Sequence, residues 1–481
     1  VFKQAITAVA KSLYRFANGN GYDAVASKNR RQAPTGILRS EDGENNPAER
    51  RKLLSAGRDI NRNFSLAAWM IRRHLDYVST FNFQAKTGDT ALDDSLERLM
   101  RWWSNPYNCD VTSRFSLSKM IRLLEMRRVI DGDIFILKLR DGTLQVVEGD
   151  RVRTPDGGGL PENLNQSMLT HGVVTDNNGA PLSYCVCSRA KATDSGTAGG
   201  NFKYERLVSA RNMYHFAYLD RFDQVRGVSP LAPAFNTLRD VYEGFDYALA
   251  KLKVSQLFSL AIYRDKETAL GEVSTSSEDG SGYEVDFGRG PAMLDLDPGD
   301  RAEFLESKTP STEFREFTQS MISVALKALD IPYSFYAENF TNYSGSRQAL
   351  LQYELSAKIK RQDVIQLLDH LTNWRIKLWI QDGQLPADAN YRWDWIPQGV
   401  SWIDPMKEVS ANLAAIGGRL TTRTRVLREQ GIDFYEMADE TKAEEDYLAS
   451  LGLATSISMQ PTQSTSVAIT EDTAQVAANG N

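Results

Sequence analysis

Histidine and cysteine are scarce in this 481-residue chain, with four of the first and three of the second. Cys109, Cys185 and Cys187 cannot form a disulfide framework. Cys185 and Cys187 alternate about Val186 as residues on one strand face do, so half-buried free thiols in a reducing compartment are expected. No two of His74, His171, His215 and His370 stand four apart, which argues against a zinc site built from His and Cys. Long apolar runs are missing too. Leu257 to Tyr263 falls far below the ~18 residues a membrane span needs, so no membrane association is expected. No charged segment followed by an apolar core and a small-residue cleavage site opens the sequence, so no secretory signal is expected. Gly-Lys never occurs, which excludes a nucleotide-cradling P-loop, and the glycine fingerprint of dinucleotide folds, the nucleophile elbow, the helical zinc-protease motif and the EF-hand loop are all absent. Nothing in the chain resembles a nucleophile, base and orienting group, so no catalytic residue, metal or cofactor is expected.

What is present is the material of several packed cores. Apolar residues make up 42% and charged residues 25%, with 20 Phe, 19 Tyr and 8 Trp, the balance of a globular chain of two to four units. The net charge of −6 hides an asymmetry. Residues 1–75 hold 14 Lys/Arg against 6 Asp/Glu, whereas residues 264–308 hold 12 Asp/Glu against 5 Lys/Arg. A basic N-terminal region and an acidic central one imply surfaces with different partners.

Periodicity divides the chain further. Residues 1–45 read as an arm rich in Asn, Gly, Ser and Arg, with a weak amphipathic stretch from Val1 to Phe16. Apolar spacing predicts a helix from Pro47 to Val78, with Arg50, Arg51, Lys52, Arg58, Arg62, Arg72 and Arg73 on its outside, and a second from Phe115 to Arg128. Asp133 to Leu139, the Asp141-Gly142 turn and Thr143 to Val147 read as a hairpin, with more strands at 182–187 and 212–217, so residues 130–220 form a mostly β unit. His215 there is expected to be a packed, hydrogen-bonded residue rather than a base. Ser229-Pro230 signals a helix start, and Leu231, Phe235, Leu238, Tyr242, Phe245, Leu249 and Leu252 follow at alternating steps of four and three. Thr309-Pro310 repeats the signal, and Phe314, Phe317, Met321, Val324 and Ala328 repeat the spacing until Pro332. The acidic residues 263–308 between them form an insert on two helical legs. Asp295, Asp297 and Asp300 resemble a cation cluster, but Asp297-Pro298-Gly299 is a turn signature and solvated acids are the simpler reading. A polar, aromatic loop from Tyr333 to Ser346 precedes a helix from Arg347 to Asp382, closed by Gly383. Helices follow at 405–416, 421–430 and 433–451, and the Ser/Thr/Ala/Gln-rich residues 454–481 are expected to be disordered.

Specific strings add what spacing cannot. Arg226-Gly227-Val228-Ser229-Pro230 with His215 and Gln224 before it, Asn342-Tyr343-Ser344-Gly345-Ser346-Arg347, Trp402-Ile403-Asp404-Pro405-Met406-Lys407-Glu408, Ile416 to Thr421, Gly431-Ile432-Asp433, and the set Arg58, Asp59, Asn61, Arg62 and Asn63 occur in one order. From about residue 45 to 452 the chain resembles the lambda-type portal proteins of tailed bacteriophages. It departs where that family commonly has Ser-Ser-Ala-Arg and this chain has Ser344-Gly345-Ser346-Arg347.

The resemblance implies an α+β portal fold assembled as a ring, with twelve subunits expected. It implies a wing (46–228), stem helices (229–262 and 309–331), a small α/β clip (263–308), a tunnel loop (332–346), a long kinked helix with a wing return (347–402) and a helical crown (403–453). It also implies a channel for double-stranded DNA at one capsid vertex, used in packaging and ejection, in a virion assembled in the host cytoplasm. Tyr336, Glu338, Asn339, Asn342, Tyr343, Ser344 and Arg347 would lie nearest DNA. Glu284, Asp286, Asp295, Asp297 and Asp300 of the clip would dock terminase and later a head-completion or connector protein, and the basic N-terminal face would meet major capsid or scaffold protein. Leu238, Tyr242, Phe245 and Leu249 would pack the stem. The rival readings are a DNA-processing nuclease or ATPase, which lacks its motifs here, and a virion scaffold without DNA contact. The absence of a 20–50-residue period argues against a solenoid form of the latter.

Overall fold

A computed structural model describes residues 39–156, 160–161, 164, 168–189, 202–257, 260–264, 300–304, 311–338, 343–399 and 405–453, with backbone alone at 254–257, 260–264, 300–304, 343 and 344. The chain separates into two units, residues 1–398 and 399–481.

The first unit begins with two helices, α1 (Pro47–Asn63) and α2 (Ser65–Val78). Spacing predicted one continuous helix, but Phe64 leaves it with φ −114° and ψ 107°. Its ring packs edge-on against Tyr242 at 4.3 Å, and the Tyr242 hydroxyl takes over the cap of α2, accepting from Leu66 N at 3.1 Å. The break is therefore a tertiary effect. Nor do all the basic residues of α1 face outward. Arg50 is buried, and Arg58 forms a two-pronged pair with Asp131 (2.9 and 2.7 Å).

Strand β1 (Phe81–Ala85) pairs antiparallel with β10 (Trp393–Pro397), a two-stranded sheet that spacing alone missed. Helix α3 (Thr90–Trp103) follows, and α4 (Leu117–Asp131) is capped by Ser116 and stopped by Gly132 at φ 90°. A Cβ on Gly132 would stand 2.5 Å from Gly227 O, and one on Gly227 2.2 Å from Gly132 O, so the two backbones meet only because both side chains are absent.

The β unit holds two three-stranded sheets. One has order β3–β2–β7, from Leu144–Glu148, Asp133–Lys138 and Met213–Ala217. The other has order β4–β5–β6, from Val173–Thr175, Pro181–Arg189 and Phe202–Ser209. Strand β2 is buried on both faces, and its alternation shows why. Ile134 and Ile136 pack with α2, α3, α4 and the long helix, while Phe135 and Leu137 pack with Tyr184, Val186 and Val208 of the second sheet. Cys185 and Cys187 are fully buried rather than half-buried, as is Cys109, and on one face of β5 the first two pack with Leu164 and Leu169.

Ser229 does not open an α-helix directly. Its hydroxyl donates to Val129 O (2.6 Å) and accepts from Leu231 N (3.1 Å), and Pro233, lacking an N–H, holds residues 232–234 as a 3-10 turn before α5 (Phe235–Leu257). The spacing ran to Leu252 and the family resemblance carried the stem helix to residue 262, whereas residues 260–264 are strand β8, paired with β9 (Asp300–Phe304). The rest of the acidic insert lies outside the described residues, as do the amphipathic Val1–Phe16 stretch, the glycine loops at 157–159 and 196–200, and the tail 454–481. Helix α6 (Thr312–Leu326) is capped by Ser311 and ends in a 3-10 turn at Lys327–Leu329. Its buried positions are Thr318, Ile322, Ala325, Leu326 and Leu329, one step from the seam read in the sequence, so Phe317 and Val324 face outward. The predicted loop contains a short helix α7 (Tyr333–Ala337), and the long helix α8 runs without interruption from Tyr343 to Gln381, starting four residues before Arg347.

The second unit holds α9 (Pro405–Gly417), α10 (Arg423–Glu429) and α11 (Phe434–Ser450), close to the predicted bounds. None of the three helices has a buried residue.

Candidate assembly and channel face

Helices α5 and α6 lie side by side, and aromatic contacts tie α7 to α2 and to Tyr353 of α8. Tyr242 anchors α5: its hydroxyl is 2.7 Å from Ser65 Oγ as well as bonded to Leu66 N. Phe245 touches Tyr242 and Phe314 edge-on, each at 6.5 Å between ring centres. Tyr336 packs on Tyr333 at 5.8 Å and Trp69 at 6.0 Å, and burial raises its phenol pKa above the ordinary value. Phe335 turns inward onto Tyr77 and Tyr353. Where α6 ends, Asp330 adopts the left-handed conformation and accepts from Ser356 Oγ (2.7 Å) and Lys360 Nζ (2.9 Å) of α8. Burial pushes the Asp330 carboxyl up, but those two hydrogen bonds win and hold it below the usual range.

Between α5, α6 and α7 lies a cavity of about 530 Å³, lined by Phe245, Leu249, Leu252, Phe314, Tyr333 and Tyr336. Four residues singled out in the sequence thus divide. Leu238 is fully buried and Tyr242 half-buried in the core, whereas Phe245 and Leu249 are 44% and 50% exposed and line the cavity together with Tyr336. Phe317 and Val324 of α6 are more exposed still, at 63% and 64%.

Of the other expected channel residues, Glu338 follows α7 at φ 51° and Arg347 is half-buried in α8. Tyr343 and Ser344 fall in the first turn of α8, their side chains outside the described residues, and Asn339 and Asn342 lie outside altogether. Asp300 opens β9, while Glu284, Asp286, Asp295 and Asp297 are outside the described residues. One apolar row escaped the sequence reading: Leu351, Leu355 and Ile359, one turn apart on α8 and 57–67% exposed. Spacing could have found the row but not its exposure, because Tyr353, Ala357 and Val364 offer an equally regular buried row on the same helix.

Sequence reading also missed two buried charge networks. Asp133 accepts from Arg226 Nε (2.6 Å) and Nη2 (3.0 Å), Arg50 Nη2 (2.8 Å) and Gly227 N (3.1 Å), with His215 Nε2 at 3.2 Å. Burial pushes its carboxyl up, but Arg226 and Arg50 hold it well below the usual range. Arg226 also reaches the carbonyls of Val152, His171 and Gly149, which uses all five of its N–H groups. His215 stacks on Phe135 at 4.4 Å, as a packed histidine. The second network joins Glu125 to Arg128, His74 and Tyr218, and the Glu125 carboxyl is held at about 2 against its burial, by Arg128 first. These networks fasten α1, α4, β2 and β7 into one body, and Arg226 and Gly227 of the quoted string owe their places to it.

Among the described residues no group of His, Cys, Asp or Glu could hold a metal ion, and no helix is long and apolar enough to cross a membrane.

Residues 30–361 match the family described as phage portal protein, lambda family. The probable portal protein of Halomonas phage phiHAP-1 is 24% identical over 379 residues, covering 74% of this chain and 71% of that one. Among solved structures, a chain from the neck of an empty GTA particle computed with C6 symmetry aligns at a TM-score of 0.48 and 14% identity, over 87% of this chain and 97% of its own. A chain from the neck of the native GTA particle, computed with C12 symmetry, aligns at 0.47 and 15% identity, over 82% and 96%.

Proposed function

Because the chain belongs to the lambda family of phage portal proteins, we propose that its copies close into a ring at one capsid vertex, with twelve subunits as the expected number, around a channel for double-stranded DNA. What carries the ring is the exposed apolar surface of a single copy: Phe245 and Leu249 on α5, Phe317 and Val324 on α6, and Leu351, Leu355 and Ile359 on α8. Large apolar side chains exposed in rows of this kind mark an interaction surface. The rows lie on different helices, so they suit a head-to-tail contact in which one patch of each copy meets a different patch of the next, the geometry that closes rings. Helices α9–α11, which bury no residue in one copy, are consistent with a crown stabilised by its neighbours.

The wing is the body fastened by Asp133 and Glu125, the stem is α5 and α6, and the clip is the acidic insert that their far ends carry. The tunnel loop is the segment from α7 to the start of α8, and there Asn339, Asn342 and Ser344 would make short-lived hydrogen bonds to phosphate while Tyr336 and Tyr343 offer flat surfaces to moving DNA. The acidic clip, with Glu284, Asp286, Asp295, Asp297 and Asp300, favours basic patches on terminase and on a later connector protein. The ring performs no catalysis in this reading and belongs to the virion after assembly in the host cytoplasm.

Phe245→Asp tests the ring. At 44% exposure in one copy the substitution leaves the subunit folded, yet in the ring it buries an unpaired charge. Light scattering and negative-stain images should show small species in place of rings with a central hole. Unchanged rings would remove Phe245 and its cavity from the interface.

A further inference from the structure

A second cavity lies in the first unit, where α1 and Arg239 of α5 face the segment after β3. It measures about 700 Å³, and eight of its lining residues are Lys or Arg against two acids, Asp59 and Asp150. Several of those cations are spoken for: Arg50 and Arg226 by Asp133, Arg58 by Asp131, Arg153 by Asp156. Two are not. Arg62 on α1 and Arg239 on α5 line the cavity with neither a hydrogen bond nor an ion pair to any described residue, and Arg51 has only a 3.4 Å bond to Pro47 O. Arg51, Ser55, Arg58 and Arg62 stand at steps of four, three and four, hence on one face of α1, and all four line the cavity.

From this geometry we infer that the cleft is a docking site for an acidic peptide segment of a partner protein. Guanidinium groups grip carboxylates through paired N–H bonds, and the open cations here are mainly Arg. The row from Arg51 to Arg62 spans about 16 Å along the helix, the length of about five extended residues. Carboxylates on alternate residues of such a strand stand about 6.6 Å apart, so a strand carrying several of them reaches both Arg51 and Arg62, with the Ser55 hydroxyl between. Leu54 and Phe202 give the walls apolar surface for the side chains between. Duplex DNA is the other polyanion at hand, but a duplex is a convex rod, whereas Arg51, Arg62 and Arg239 line a concave cavity, the first two as exposed residues. The occupant is therefore a flexible acidic strand. The inference rests on the vertex reading only in placing such partners nearby.

Fluorescence anisotropy with a fluorescein-labelled hexaglutamate peptide tests it on the full chain. The peptide should bind at low salt and be released at 0.5 M salt. Arg62→Glu with Arg239→Glu should weaken it at least tenfold, and the neutral pair Arg62→Gln with Arg239→Gln by a smaller factor. Arg72→Glu, on an exposed residue of α2 outside the cleft, should leave it unchanged. Equal affinity in the double variants overturns the inference. So does a 20-base-pair duplex that binds more tightly than the peptide through the same two arginines, or orthophosphate that displaces the peptide at equal concentration. Sedimentation of the same samples separates the two readings: rings that persist while peptide binding fails leave the portal assignment standing.

Discussion

Replacing Arg226 by lysine keeps the charge and removes the fork. All five N–H groups of Arg226 are engaged, two by the Asp133 carboxylate and three by the carbonyls of Val152, His171 and Gly149, in a side chain 1% exposed. An ammonium offers three donors, so at least two of the five bonds are lost. Each buried acceptor left unsatisfied costs about 1–3 kcal/mol, which puts Arg226→Lys at roughly 2–6 kcal/mol. Asp133→Asn acts from the other side, leaving Arg226 and Arg50 buried without their carboxylate, and breaking a buried pair costs about 3–5 kcal/mol. Either loss is a large share of the ~5–15 kcal/mol that keeps a typical domain folded. Urea unfolding followed by tryptophan fluorescence, at one fixed subunit concentration, reads both as a lowered midpoint at unchanged slope. Arg189→Lys is the control. Arg189 is half-exposed, pairs with Glu148 and Asp150 at the surface, and its loss should cost under about 1 kcal/mol. If Arg226→Lys falls as little as Arg189→Lys, the network does not hold α1, α4, β2 and β7 together.

Three further outcomes are expected. Burial, then Arg226 and Arg50, push the His171 imidazole down to about 4, so the unfolded chain binds its proton first and stability falls as pH drops from about 6.5 to about 4. The loss reaches roughly 3 kcal/mol, and His171→Asn, which tolerates the φ of 51°, should flatten that part of the stability–pH curve. Gly142→Ala places a Cβ 1.7 Å from Arg375 Nη1 at φ 86°, and should lower the melting temperature more than Gly383→Ala, where φ is 72° and nothing lies within 4 Å; equal shifts would mean that Arg375 swings clear. Deleting residues 338–342 should permit rings but reduce nuclease-protected DNA in particles, and normal retention of full-length DNA would count against a channel role for that loop.

The helices were legible where one periodic row settles the matter by itself. α5, α8 and the three helices after Pro405 follow their spacing to within a few residues. The β hairpin at Asp141-Gly142 was legible for the same local reason. What spacing could not give are features decided at a distance. The break at Phe64 exists because Tyr242, far along the chain, receives both the ring and the cap. The inward turn of Arg50 and Arg58 exists because Asp133 and Asp131 wait in the next layer, and as sequence those arginines cannot be told from the exposed Arg51 and Arg62. The β1–β10 sheet joins residues more than 300 positions apart, with only five residues per strand to announce it.

The apolar seams show a subtler limit, one that bears on assembly. Along α5 and the turn before it one row of regular spacing changes role midway: Leu231, Phe235 and Leu238 are fully buried in their own subunit, while Phe245 and Leu249 are about half-exposed. On α6 the buried row is the neighbour of the one the spacing favoured, and the favoured row points out through Phe317 and Val324. A lone subunit has no use for two apolar rows on one helix, since exposing the second only invites association. A subunit that packs inward and sideways needs both, and their spacing is then equally regular. Helical spacing therefore reports that a face is covered without saying by which chain. The exposed rows of one copy supply that missing half, and they fall on the helices from which a portal ring would be built.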